Sequence, residues 1–95
     1  MTAQHRYRVE PDAALVVRGL DDLTLLYHRP SGQTHMVAPP VPEIVDALRA
    51  IGDGTVADVR GRLALDFDLG EADEADAAIG LHLEDMARLG LVTRL

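Results

Sequence analysis

An α+β fold, a three-stranded antiparallel sheet followed by three helices, is what this sequence predicts, and three stretches predict it. Leu23 to Pro40, LTLLYHRPSGQTHMVAPP, reads as a strand, a tight turn and a strand that ends at a helix start. Ala14 to Arg18, ALVVR, is a β-branched run stopped by Gly19 and the Asp21-Asp22 pair, and supplies the first strand. From Val41 onward the apolar residues change to helical spacing and keep it almost to the C-terminus.

Within the hairpin, Arg29-Pro30-Ser31-Gly32 holds a proline that presets φ and a glycine able to take φ > 0, which suits a three-residue loop closed by a bulge. That loop pairs Arg29 with Gln33, and outward from it His28 with Thr34, Tyr27 with His35, Leu26 with Met36 and Leu25 with Val37. The expected core face is then Leu23, Leu25, Tyr27, His35 and Val37. Thr24, Leu26, His28, Thr34 and Met36 occupy the other, half-exposed face. With Gln33 to Val37 as the third strand, the outer strands of the meander each leave main-chain groups unpaired.

Pro39, Pro40 and Pro42 forbid a continuing strand, and Pro42 suits the first turn of a helix. Val41, Ile44, Val45, Leu48 and Ile51 then recur on one helical face up to Gly52, a natural stop. Thr55 with Asp58 three residues on reads as an N-terminal cap for a second helix carrying Val56, Val59 and Leu63, with Phe67 closing it onto the core. Asp68 to Glu71 is a loop, and a third helix begins near Asp73 and runs to Leu89 before Gly90. Residues 1 to 12 read as an arm leading to the fold, and Leu91 to Leu95 as a short extended tail. Ninety-five residues without an internal repeat or linker make one domain, 1-95.

On a helical wheel, Ala75, Ile79, His82 and Met86 centre the apolar stripe of the third helix, with Leu83 on one flank and Ala78, Leu81 and Leu89 on the other. The stripe is wider than one packing partner requires. An apolar flank to spare near a strand with an unpaired edge makes a groove able to hold a third element.

Composition limits the function classes. Nine arginines against sixteen acids leave a net charge of -7, which disfavours anionic surfaces, so neither nucleic acid nor membrane is an expected partner. Without cysteine there is no thiolate nucleophile or Cys-based zinc site. No apolar run reaches membrane-spanning length and MTAQHRYRVE lacks a signal-peptide core, so a cytoplasmic location is expected. His28 and His35 fall on opposite faces in the register above and cannot share an ion, His82 reads as half-buried core, and Ser31 is explained by its turn. No catalytic motif occurs, and no cofactor is expected. The acidic cluster from Asp66 to Asp76 reads as a solvated loop and helix cap, with attraction of a basic partner as its functional alternative.

Three helices after a small sheet, the last two joined by a short loop, also suggest a helix-turn-helix with strands attached, an architecture that often binds DNA. Here the third helix carries Asp73, Glu74, Asp76, Glu84 and Asp85 against Arg88 alone, so phosphate is repelled.

From Leu15 to Val92 the sequence resembles the PqqD-like proteins, known as peptide chaperones or leader-peptide recognition elements in the biosynthesis of ribosomally made, modified peptides. The likeness is closest in YHRPSGQTH (Tyr27 to His35), Pro39-Pro40 and MARLGLV (Met86 to Val92), and is similar to the subgroup named after an HPr-kinase-related system. The sequence departs from the family's pattern in two respects: Val37-Ala38 stands where Leu-Asn is common, and Ala78 and His82 where an acid and an aromatic are often found. The resemblance implies a winged helix-turn-helix-like fold without enzymatic activity. It implies a precursor or leader peptide bound as an added strand on Gln33, Thr34, His35, Met36 and Val37, against Ala78, Leu81, Asp85 and Leu89 of the last helix. A separate peptide-modifying enzyme, of which an HPr-kinase-related protein is one candidate, would receive that peptide.

Strand addition alone gains about four main-chain hydrogen bonds at ~1 kcal/mol each, less than the cost of association, so apolar anchors against Leu81, Met86 or Leu89 are also expected, with weak salt dependence. Two other readings remain at this stage: a winged-helix DNA-binding regulator, and a small subunit whose sheet edge is covered in its own homodimer.

Overall fold

The computed structural model describes residues 5–11 and 14–95. Its elements in chain order are β1 (Tyr7–Val9), β2 (Leu15–Leu20), β3 (Leu23–His28), β4 (Gln33–Val37), α1 (Val41–Ile51), β5 (Asp53–Gly54), α2 (Val56–Leu63), α3 (Ala72–Arg88) and β6 (Val92–Arg94). The α+β class stands, but the described strands number six and form two antiparallel sheets, ordered β2-β3-β4 and β5-β1-β6. The first is the expected meander. The second is not anticipated by the sequence reading.

The stretch expected to be an arm provides the centre of that second sheet, with residues 1–4 and 12 of it lying outside the described residues. Tyr7 and Val9 are buried while Arg8 between them is exposed, the alternation of a half-buried strand. Tyr7 pairs with Gly54 on one side and with Arg94 on the other. Gly90, at φ 79, lets the chain reverse after α3: Leu91 N–H donates to Met86 O at 2.9 Å and directs β6 back against β1. The C-terminal segment is therefore a paired strand.

The helices follow their local signals. Pro42 lies in the first turn of α1, and the Gly52 N–H closes it on Leu48 O. Thr55 and Asp58 form a reciprocal capping box on α2, with Asp58 N to Thr55 Oγ1 at 3.2 Å and Thr55 N to Asp58 Oδ2 at 3.0 Å. Those hydrogen bonds from Thr55, main chain first, hold the Asp58 carboxyl below the usual carboxylate range. Gly54 answers a close approach. A Cβ there would sit 2.7 Å from Ile51 Cδ1 and 2.9 Å from Asp58 Cβ. Gly54→Ala is expected to destabilise the domain by about 1 to 3 kcal/mol, since the β-carbon of a capped residue cannot move aside. Denaturant unfolding measures this, and an unchanged midpoint would show that the Asp58 cap is free to shift.

One core joins the two sheets and three helices: Tyr7, Val9, Leu15, Leu26, Ile44, Leu48, Val59, Leu63, Ile79, Leu83, Met86, Leu91 and Val92 are among its buried members. Phe67 is not part of it. Its ring is half exposed, and Leu69, two residues on, packs against the core instead.

The hairpin register differs from the expected one by a residue. His28 pairs with Gln33, Tyr27 with Thr34, Leu26 with His35, Leu25 with Met36 and Thr24 with Val37. The loop has four residues, because Gly32, at φ 70, donates to both His28 O at 2.9 Å and Arg29 O at 3.2 Å. The shift turns β3 over relative to expectation. Leu26 is fully buried, while Leu23 and Tyr27 are exposed and Leu25 half-buried on the outward face. His35 and Val37 keep the inner face on which they were expected.

Candidate functional site

The alternation of hydrogen bonds across the meander decides which main-chain groups are free. Arg29 N–H donates to Ala14 O at 2.8 Å, so Arg29, Tyr27 and Leu25 direct their peptide groups toward β2, and His28, Leu26 and Thr24 toward β4. Their partners Gln33, His35 and Val37 therefore point back at β3. Thr34 and Met36 present N–H and C=O outward, on a strand whose one neighbour among the described strands is β3. The opposite edge, β2, is partly covered: the Arg49 guanidinium from α1 donates to Leu15 O at 2.9 Å. No sequence signal marked Arg49 for that role, which depends on where α1 lies across the sheet.

The α3 helix buries Ile79, Leu83 and Met86. On one flank it meets α2 and β6: Arg60 Nε reaches Asp76 at 2.5 Å, Val56 lies against Gly80, and Arg94 reaches Glu84 at 2.9 Å. The other flank carries Ala78, Leu81, Asp85 and Leu89, all exposed, with Leu81 at 70% and Leu89 at 51%. Met86, expected among the anchors, is enclosed in the core and has no surface to offer. Asp85 is paired with Arg88 on the same helix.

The hairpin and the end of α3 meet at Gly90, whose Cβ position lies 3.7 Å from the His28 ring. Leu89 therefore ends α3 beside the pair from which β4 starts. The body of α3 packs chiefly on α2 and β6, with at most slight contact to β4.

His28 and His35 share the inner face of the hairpin, which corrects their expected separation; the cause is the one-residue change of register. His28 Nδ1 is 2.8 Å from Ser31 Oγ, and Ser31 Oγ also accepts from Gln33 N–H at 3.2 Å, so both side chains help to close the turn. His35 Nε2 is buried without a hydrogen-bond partner. Among the described residues no group of three or more side chains is placed to hold a metal ion.

Among the described residues Arg6, Tyr7 and Asp58 have displaced pKa values; Arg6 adjoins β1, Tyr7 lies in it and Asp58 stands at the start of α2. Burial, with Glu84 nearby, pushes the Tyr7 phenol up, and the hydrogen bond to Asp53 raises Arg6. The larger surface concavities are likewise away from β4. One of about 370 Å³ is lined by His5, Tyr7, Thr55 and Asp76, and an open one of about 610 Å³ runs beside β6, lined by Glu84, Arg88 and Thr93. No described helix is long and apolar enough to cross a membrane. No family model, curated protein or solved structure matches this chain.

Proposed function

We propose that this chain is a noncatalytic peptide-binding domain of the PqqD-like kind, a winged helix-turn-helix variant whose β3-β4 hairpin is the wing. It takes a precursor or leader peptide as a strand added to β4 and presents it to a separate modifying enzyme. The observation that carries this reading is the pair of outward-facing residues Thr34 and Met36 on a strand edge that no strand among the described residues pairs with. Four main-chain hydrogen bonds are available there, together worth about 4 kcal/mol, against an association cost of roughly 4 to 15 kcal/mol. The exposed Leu81 and Leu89 supply the remainder as apolar anchors, each able to contribute ~1.5 to 3 kcal/mol when covered.

Charge supports a peptide over nucleic acid. The chain carries -7 overall, and Arg88, the one cation of α3, is already paired with Asp85. Backbone pairing with apolar anchors predicts an affinity that changes little with salt.

The test is chemical-shift mapping of the labelled domain with synthetic peptides tiled through small reading frames beside its gene. Shifts should concentrate at Thr34, Met36, Leu81 and Leu89. With a peptide that binds, Leu81→Asp is expected to weaken affinity at least tenfold and leave the unfolding midpoint nearly unchanged, whereas Ile79→Asp, at a buried position, should unfold the domain. Equal destabilisation by the two would make Leu81 core and remove the α3 flank from the site.

A further inference from the structure

The outward face of the β2-β3-β4 sheet is built from three rows: Val16 with Tyr27 and Thr34, Arg18 with Leu25 and Met36, and Leu20 with Leu23. Leu20 is 54% exposed, Leu23 43%, Tyr27 39% and Met36 71%. An antiparallel sheet with one face on the core ordinarily shows polar side chains on the other. Here Thr34 and Arg18 are the polar members, and none of the chain's sixteen acids lies on the face. Such a contiguous apolar surface marks a place where another surface sits.

We infer that its occupant is a second copy of this chain, stacked face to face about a two-fold axis. Among the described residues Arg18 has no partner, and neither do Asp21 and Asp22 in the β2-β3 turn beside the same face. With the strands of the two copies antiparallel, the acidic turn of each approaches Arg18 of the other. The face thus supplies both members of its own charge pairing, as an isologous interface requires. Pairing of the turn with Arg18 centres the contact on Leu20 and Leu23, with Leu25 and Met36 beside them and Val16, Tyr27 and Thr34 outside it, so the area covered stays below the roughly 800 Å² per partner of a standard interface. The dimer is therefore weak and reversible. Stacking leaves the outward N–H and C=O groups of Thr34 and Met36 in the plane of each sheet, so both β4 edges stay open.

Sedimentation velocity on the whole chain without peptide, from low micromolar to millimolar concentration, tests this independently of the peptide reading. The expected result is a monomer–dimer equilibrium that Leu23→Glu and Leu20→Glu each weaken at least tenfold with circular dichroism unchanged. Arg18→Asp should also weaken it, and Arg18→Asp combined with Asp21→Arg and Asp22→Arg should restore it. A monomer throughout the range would overturn the inference. So would a dimer indifferent to Leu20→Glu and Leu23→Glu, and one lost only in Met36→Pro would be pairing of β4 edges instead.

Discussion

Leu26→Ala is expected to cost about 3 to 5 kcal/mol of folding stability, and Leu25→Ala about 1 kcal/mol or less. Leu26 is fully buried between Val17 and His35 on the inner face, while Leu25 stands next to it in sequence and on the opposite side of the sheet. Truncating Leu26 removes its burial and leaves a cavity that the strands cannot close, because β3 is held on both sides by ladder hydrogen bonds. A domain of this size has ~5 to 15 kcal/mol in total, so the variant loses a large share of it. Urea unfolding with an unchanged slope measures both variants. The three-residue loop suggested by Pro30-Ser31-Gly32 would put Leu25 inside and reverse the order of the two losses. A reversed or equal result would therefore return the hairpin to that register.

Met36→Pro is expected to reduce affinity for a bound peptide more than tenfold while leaving the domain folded. The Met36 N–H points away from β3, so proline removes a donor that the folded chain does not use, and its ring stands where the incoming strand must approach. A tenfold change corresponds to about 1.4 kcal/mol, little more than one lost hydrogen bond, and the steric block adds to it. His35→Pro makes the contrast, since the His35 N–H faces β3 and its loss weakens the hairpin itself. Calorimetric titration with a peptide selected by shift mapping, alongside circular dichroism, separates the two. Affinity like that of the parent chain in a folded Met36→Pro domain would take β4 out of the site.

Both predictions turn on what a one-residue change of register does. Strand limits at Leu23, His28, Gln33 and Val37 were legible because β-branched and apolar runs stop at Asp, Pro and Gly. The limits of α1 were equally legible from Pro42 and Gly52, and the start of α2 from Thr55 and Asp58. The loop type was not. Pro30 and Gly32 serve a three-residue or a four-residue loop equally well, and the choice was made by which of Leu25 and Leu26 the core could enclose. The same turn then moved His28 onto the face of His35. On α3 the spare flank of Ala78, Leu81 and Leu89 was legible from its periodicity, and so was the central place of Met86 in the apolar stripe; its second role as a peptide anchor fails because the core encloses it.

Sequence alone determined the local grammar of this protein: the limits of β3, β4 and α1, the start of α2, the aliphatic character of the core and a net charge of -7. Those are decided by φ preferences, caps and hydrophobic period, all of which act within a few residues. Tertiary structure decided the β5-β1-β6 sheet, the register of the hairpin, the cover that Arg49 gives one sheet edge and the openness of the other. Tyr7 meets Gly54 across half of the chain's length and Arg94 across most of it, and strands of two or three residues carry too little local preference to announce such pairings. They exist because burial of Tyr7, Val9 and Val92 in a shared core outweighs the entropy of bringing the two ends together.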